Sequence, residues 1–180
     1  EAPKQQAATS SQDVGNLINE LMLLYREPLF DAKGIRVEIK QPGGELRVSC
    51  ERNSLKQILL NLWKNASEAL SSGQQIRILL TDHVIHNGSV HIQMRLDDNG
   101  PGMSEAVMRS IHRKPDITAS SKRGLGLSIV GELASSQGIS VTCRSELGKG
   151  TSIALLLPKF IAATQVIEPT LNHLSGVEAK

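Results

Sequence analysis

Aromatic residues are scarce in this 180-residue chain: Tyr25, Phe30, Trp63 and Phe160 complete the set. So few rings make no series of stacking platforms, which excludes proteins that hold successive bases of single-stranded nucleic acid on aromatic faces. Nor is charge of one sign concentrated. The 20 basic and 18 acidic residues are mixed along the whole length, to a formal net charge of +2. Without a block of like charge there is no arm or stripe for a nucleic-acid backbone, so no nucleic-acid partner is expected. Cysteine is limited to Cys50 and Cys143, far apart and without C-x-x-C spacing. That excludes a disulfide scaffold or a cysteine zinc site and suits a reducing, cytoplasmic compartment. No apolar run approaches the ~20 residues that span a bilayer, so this stretch is expected to make no membrane contact, although a longer protein carrying it can be tethered. The opening Glu-Ala-Pro-Lys-Gln-Gln has neither an initiator Met nor a signal-peptide core, and the chain reads as an excised piece.

What is present suffices for one domain: 39% of the residues are apolar, enough for a single core. Residues 1–12 are polar and read as a flexible lead, 13–158 as the domain, and 159–180 as a tail or linker. From Asp13, the residues Val14, Leu17, Leu21 and Leu24 recur at helical spacing, predicting a helix to about Ala32 that ends near Gly34. Ile35–Lys40 and Leu46–Cys50 flank Pro42-Gly43-Gly44 and suggest a hairpin, with two unpaired strands as the alternative. From Ser54, the apolar stripe Leu55, Ile58, Leu59, Leu62, Ala66, Ala69 and Leu70 predicts a helix that stops at Ser71-Ser72-Gly73. Strands are predicted over Ile76–Thr81 and Val90–Leu96, joined by a polar loop from His83 to Ser89. The polar stretch from Ser104 to Arg123 is a candidate lid. Leu125–Gln137 predicts a further helix closed by Gly138, and Ile139–Arg144 and Ser152–Leu157 two closing strands. The alternation predicts an α/β (α+β) two-layer sandwich: a mixed, mostly antiparallel sheet covered on one face by helices.

Four short motifs carry chemistry. Asn61 and Asn65 project from one face of the second helix, opposite its apolar stripe. A carboxamide oxygen there suits Mg²⁺, which keeps most of its waters and bridges to phosphates. Asp97-Asp98-Asn99-Gly100-Pro101-Gly102 puts a carboxylate at a strand end beside glycines that let backbone approach a flat ligand; a carboxylate there accepts from an exocyclic amine. Lys122-Arg123-Gly124-Leu125-Gly126 opens a helix, where free N–H groups and the dipole favour an anion. Gly148-Lys149-Gly150-Thr151 forms a turn between strands. Two familiar nucleotide motifs are excluded, because the third glycine of G-x-G-x-x-G would fall at Ile129 and the Walker A Ser or Thr at Gly150.

In this order, Asn61-Leu62-Trp63-Lys64-Asn65-Ala66, Asp98-Asn99-Gly100-Pro101-Gly102, Gly124-Leu125-Gly126-Leu127 and Gly148-Lys149-Gly150-Thr151 resemble the N, G1, G2 and G3 boxes of the ATPase superfamily shared by gyrase, a heat-shock chaperone, mismatch-repair clamps and histidine kinases. The resemblance spans roughly Val14 to Pro158 and implies the Bergerat fold, with ATP held between the helical layer and a lid. It implies that Asn65 ligates Mg²⁺ and that Asn61 assists near the phosphates. Asp98 would bond adenine, Gly100 and Gly102 would shape the base pocket, and Thr151 would support it. Lys122, Arg123, Gly124, Leu125 and Gly126 would meet phosphate. Hydrolytic members carry a glutamate four residues before the metal-binding asparagine, as general base for water; here that position is Asn61. The sequence is therefore similar to the catalytic domain of a sensor histidine kinase, which implies transfer to a histidine on a dimerisation domain and onward to a response regulator.

The lid departs from the family pattern. Lys122 replaces the first glycine of the usual G-x-G-x-G, Ile111-His112-Arg113 is the nearest match to a missing phenylalanine box, and Glu68 stands where some kinases place a phosphate-binding lysine. Lys64, Lys122 or Arg123 would supply that cation instead. Two alternatives follow: a regulatory ATP-sensing domain acting by protein contact, and an ATP-driven clamp. Trp63 reads as a core or lid-packing residue. None of His83, His86, His91, His112 and His173 sits in the His-Glu or His-Asp setting of a phosphoacceptor helix, and His83 and His86 lack the further ligands of a metal site.

Overall fold

A computed structural model describes residues 11–115 and 125–162. Seven strands and four helices follow in the order β1 (Ser11–Asp13), α1 (Val14–Leu29), β2 (Arg36–Lys40), β3 (Arg47–Ser49), α2 (Arg52–Ala69), β4 (Gln75–His86), β5 (Ser89–Asp98), α3 (Glu105–Met108), α4 (Leu125–Ser136), β6 (Ser140–Glu146) and β7 (Gly150–Pro158). Five strands form one sheet in the order β2-β4-β5-β7-β6, parallel at β2/β4 and antiparallel elsewhere. Period-two burial gives this sheet two faces. Ile76, Ile78, Leu80, Ile92, Met94, Leu96, Leu155 and Leu157 are buried, together with Leu17, Ile18, Leu59, Leu62 and Val130 from the helices. Arg77 and Arg95, on the other face, are exposed. The result is the mixed, mostly antiparallel two-layer sandwich that the alternation of elements implied.

The helices begin where side chains satisfy free backbone N–H groups. Asp13 accepts from Asn16 N at 2.9 Å and starts α1. Glu51 accepts from Asn53 N and Ser54 N at 2.8 and 2.6 Å, so α2 starts ahead of Ser54. Helix α1 ends at Leu29, one residue beyond Pro28, and a 3₁₀ turn at Asp31–Lys33 leads to Gly34.

The hairpin expected around Pro42-Gly43-Gly44 does not form. Strand β2 instead adds in parallel to the edge of β4, Val37 opposite Ile76 and Ile39 opposite Ile78, while β3 pairs with β1 in a separate two-stranded sheet. Alternation assigns each strand an apolar face but no partner: Val37 and Ile39 of β2 and Val48 of β3 meet the same core from strands paired to different neighbours. The polar loop expected from His83 to Ser89 is also absent. Strand β4 runs to His86 and β5 starts at Ser89, joined by Asn87 and Gly88 at φ of 47° and 74°, the positive-φ pair of a tight hairpin. A bulge at Asp82-His83 interrupts the register between Thr81 and Val84. Lys159 Nζ fastens it, at 2.7 and 2.8 Å from the Asp82 carboxylate. Phe160 N donates to Arg47 O at 2.9 Å, so ordered pairing continues past Pro158 as it precedes Val14 at β1.

Candidate functional site

The site lies where the C-terminal end of α2, the end of β5 and the start of β7 converge under the beginning of α4. Asn65, Ala66 and Ala69 of α2, Leu96 and Asp98 of β5, Gly102 and Met103 beyond it, Leu127 of α4, and Thr151 and Ile153 of β7 line one narrow cavity. Its walls are mostly aliphatic, and Asp98 is the only carboxylate in them among the described residues. An apolar slot with an acceptor in its wall suits a planar heterocycle bearing an amine.

Asp98 Oδ1 is committed to the protein, accepting from Gly100 N at 2.9 Å and Thr151 N at 3.2 Å. Oδ2 takes no hydrogen bond among the described residues. Burial pushes the Asp98 carboxyl above its ordinary value, the two backbone N–H groups oppose that rise, and the neighbouring Asp97 adds to it. The loop after Asp98 is folded tightly: Gly102 has a φ of 73°, and a Cβ there would lie 2.2 Å from Glu146 O. Only glycine lets this loop lie against the β6–β7 turn. Gly148 N closes the same contact on Pro101 O at 2.8 Å.

In the same wall, Asn65 makes no side-chain hydrogen bond among the described residues. It faces Gly126, where a Cβ would fall 2.6 Å from Asn65 Oδ1; the missing side chain leaves room for the amide. A single carboxamide without a supporting cluster of His, Cys, Asp or Glu among the described residues is a poor site for a metal alone. It fits Mg²⁺ that arrives already held by phosphates and water. Asn61 is not among the cavity walls, and its Nδ2 donates to Gln57 O at 2.8 Å. Gly100 lies beside Leu70 and Asp98, and Leu125 is the first residue of α4. Lys122, Arg123 and Gly124 lie outside the described residues. Lys64 pairs with Glu68 at 3.9 Å on the exposed side of α2. Trp63 is fully buried and does not line the cavity.

Reading the sequence missed Ser145 and Gly131. Ser145 sits at an inward position of β6, two residues after Cys143, and contacts both Met103 N and Thr151; a polar residue at inward parity was the available signal. Gly131 lets the 3₁₀ turn at Arg109–His112 press on α4, where a Cβ would lie 1.7 Å from Ile111 O. Ile111 is accordingly buried. The described part of the expected lid, up to residue 115, therefore starts with α3, followed by this turn packed against α4.

Residues 50–161 match the family described as histidine kinase-, DNA gyrase B- and HSP90-like ATPases. Histidine protein kinase DivJ of Caulobacter vibrioides is 30% identical over 145 residues, covering 78% of this chain and 24% of that protein. Sporulation kinase A of Bacillus subtilis is 28% identical over 158 residues, covering 87% of this chain and 25% of that protein. The chain thus spans about a quarter of the length of these relatives. Among solved structures, a nucleotide-free catalytic domain of histidine kinase ThkA superposes with a TM-score of 0.69 at 25% identity, covering 83% of this chain and 97% of that one. No helix among the described residues is long and apolar enough to cross a membrane. A carboxylate at a strand terminus and an asparagine in the walls of one apolar slot, with a match over most of the described chain, lead to one conclusion: this chain belongs to the family of histidine kinase-, DNA gyrase B- and HSP90-like ATPases.

Proposed function

We propose that the chain is the catalytic domain of a sensor histidine kinase, passing the γ-phosphoryl of Mg·ATP to a histidine on a separate dimerisation domain of the same protein, from which a response regulator takes it. Asp98 Oδ2 accepts from the adenine amine, with Thr151 and the Gly100–Gly102 loop shaping the base slot. Asn65 gives Mg²⁺ one protein oxygen, with Asn61 one turn earlier on the same helix face. Gly126 leaves space beside that amide, and Lys122, Arg123, Gly124 and Leu125 lead into the α4 N-terminus that receives phosphate. Bound Mg²⁺ supplies charge neutralisation across the phosphate oxygens. ThkA, which shares the fold, has itself been solved in complex with the response regulator protein TrrA.

The observation that carries the kinase reading is that, among the described residues, no carboxylate stands at the place of a base for water. Asn61 occupies the glutamate position of hydrolytic relatives, its amide nitrogen bonded to Gln57 O, and Asp98, the single carboxylate in the walls among the described residues, is held by Gly100 and Thr151. An imidazole acceptor needs no such base, because it is already a nucleophile. The test incubates the domain with labelled Mg·ATP, with and without a histidine-bearing dimerisation domain, and follows free phosphate and phosphoprotein. Bound, intact ATP that is transferred only when the acceptor is added is expected. Fast phosphate release without acceptor refutes the kinase reading in favour of an ATP-driven clamp, and absence of ATP binding favours a regulatory domain acting by protein contact.

A further inference from the structure

We infer that Ser145 is a positioning residue that fixes the hydroxyl of Thr151 as a hydrogen-bond acceptor toward the base slot and ties the root of the lid to the same point. The inference rests on the nucleotide-site reading above. Three polar groups meet at Ser145 Oγ: Met103 N donates to it at 2.7 Å, Gly150 O lies 2.9 Å away, and Thr151 Oγ1 lies 2.9 Å away. A serine hydroxyl has one proton and two lone pairs. Gly150 O can only accept, so it takes that proton. The Met103 N–H can only donate, so it takes one lone pair. The contact to Thr151 is then satisfied in one direction alone, with the threonine proton on the remaining lone pair of Ser145.

Two consequences follow for the slot. The Thr151 side chain has spent its only proton on Ser145, so it presents lone pairs to a ligand; beside it Asp98 Oδ2 also presents only acceptors while ionised. This edge therefore takes donor groups, directly or through a water that donates to Thr151, and disfavours a base with a carbonyl in that position. The second consequence concerns the lid. Met103 lines the slot and directly precedes Ser104, where the segment leading to α3 begins. Through Ser145 its amide is bonded to the residue whose own N–H holds Asp98 Oδ1. Seating of the base and placement of the lid root thus share one hydroxyl.

The test uses Ser145→Ala and Ser145→Thr, the latter keeping a hydroxyl on a β-branched side chain that suits a strand. In the alanine variant, Thr151 is freed to donate into the slot. ATP affinity is expected to fall about five- to tenfold, as for loss of one buried hydrogen bond, and the preference for ATP over GTP to narrow. The Met103 amide is expected to exchange faster even without nucleotide. Ser145→Thr restores all three, and Thr151→Val combined with Ser145→Ala loses less affinity than the two single losses together. A lower melting temperature with unchanged ATP affinity, base preference and Met103 exchange overturns the inference and leaves Ser145 purely structural. Should Ser145→Ala not fold, Ser145→Cys, which keeps the shape but weakens all three hydrogen bonds, replaces it, and unchanged ATP affinity, base preference and Met103 exchange in that variant overturn the inference equally. Failure of the parent reading looks different: the unsubstituted domain would not bind ATP, or Asp98→Asn would bind it unchanged.

Discussion

Gly126→Ala separates the fold from the proposed chemistry at one atom. The added Cβ would fall 2.6 Å from Asn65 Oδ1, 3.0 Å from Nδ2 and 3.2 Å from Cγ, and no backbone is among these nearest atoms. The helix can stay where it is, provided the Asn65 amide retreats by roughly 0.8 Å to reach ordinary van der Waals separation. Forcing that side chain off its rotamer costs about 0.5–1.5 kcal/mol, whereas replacing a helical glycine by alanine gains about 0.5–1 kcal/mol. The two nearly cancel, so the melting temperature is expected to move by no more than about 4 °C. Function is less forgiving. A reacting group displaced by about 1 Å loses on the order of 100-fold in rate, and Asn65 is the proposed protein oxygen on Mg²⁺. The assay pairs a thermal melt with phosphotransfer to a histidine-bearing domain, and with ATP titrations in Mg²⁺ and in EDTA. Transfer is expected to collapse, and the Mg²⁺-dependent part of the affinity with it, while binding in EDTA changes little. Transfer within about threefold of the unsubstituted domain would refute the assignment of Asn65. A melt lowered by more than about 10 °C would show that backbone moved instead.

Asp98→Asn is expected to remove most nucleotide binding at neutral pH, since an amide puts a donor where the adenine amine needs an acceptor; unchanged calorimetric affinity would remove Asp98 from the site. Burial raises the Asp98 carboxyl, so its titration favours the folded state at low pH, and that contribution is lost as pH rises from the ordinary carboxylate value through the raised one. Affinity runs the other way: binding of adenosine, which lacks titrating phosphates, is expected to weaken on acidification at a pH above the usual carboxylate range, and a flat profile down into that range contradicts this. Gly131→Ala sets a Cβ against the backbone carbonyl of Ile111, 1.7 Å away, so the turn at Arg109–His112 must lift from α4; faster exchange of the Ile111 and His112 amides is expected, and unchanged exchange refutes the packing role. Burial pushes both the Cys50 and Cys143 thiols up to about 11 from 9.0, opposed at Cys50 by a hydrogen bond from Gln12. Their stabilisation is fully present below the unfolded-state value and is lost as pH rises through about 11. Slow thiol labelling at pH near 8 is expected to accelerate sharply in denaturant, and equal rates in both conditions contradict the burial.

The amphipathic stripes of α1 and α2, apart from Leu24, which the structure leaves exposed, the alternation along β4, β5 and β7, and the two-layer architecture were all legible in the sequence, because periods of 3.6 and 2 are written residue by residue in the pattern of apolar side chains. So was the strand-end position of Asp98 and the shared helix face of Asn61 and Asn65. The Asn87-Gly88 pair signals a tight turn, but its polar flanks read as a loop from His83 to Ser89, which the structure replaces with strand. Tertiary structure alone decided that β2 lies parallel to β4 while β3 leaves for β1, because an apolar face can be buried against any surface of matching shape. It alone drew Asn65 and not Asn61 to the cavity wall, pressed Gly126 against that amide and Gly102 against the Glu146 carbonyl, and made Ser145 the meeting point of Met103, Gly150 and Thr151. Those contacts join residues far apart in the chain. Their direction depends on where whole elements pack, and no local periodicity records it.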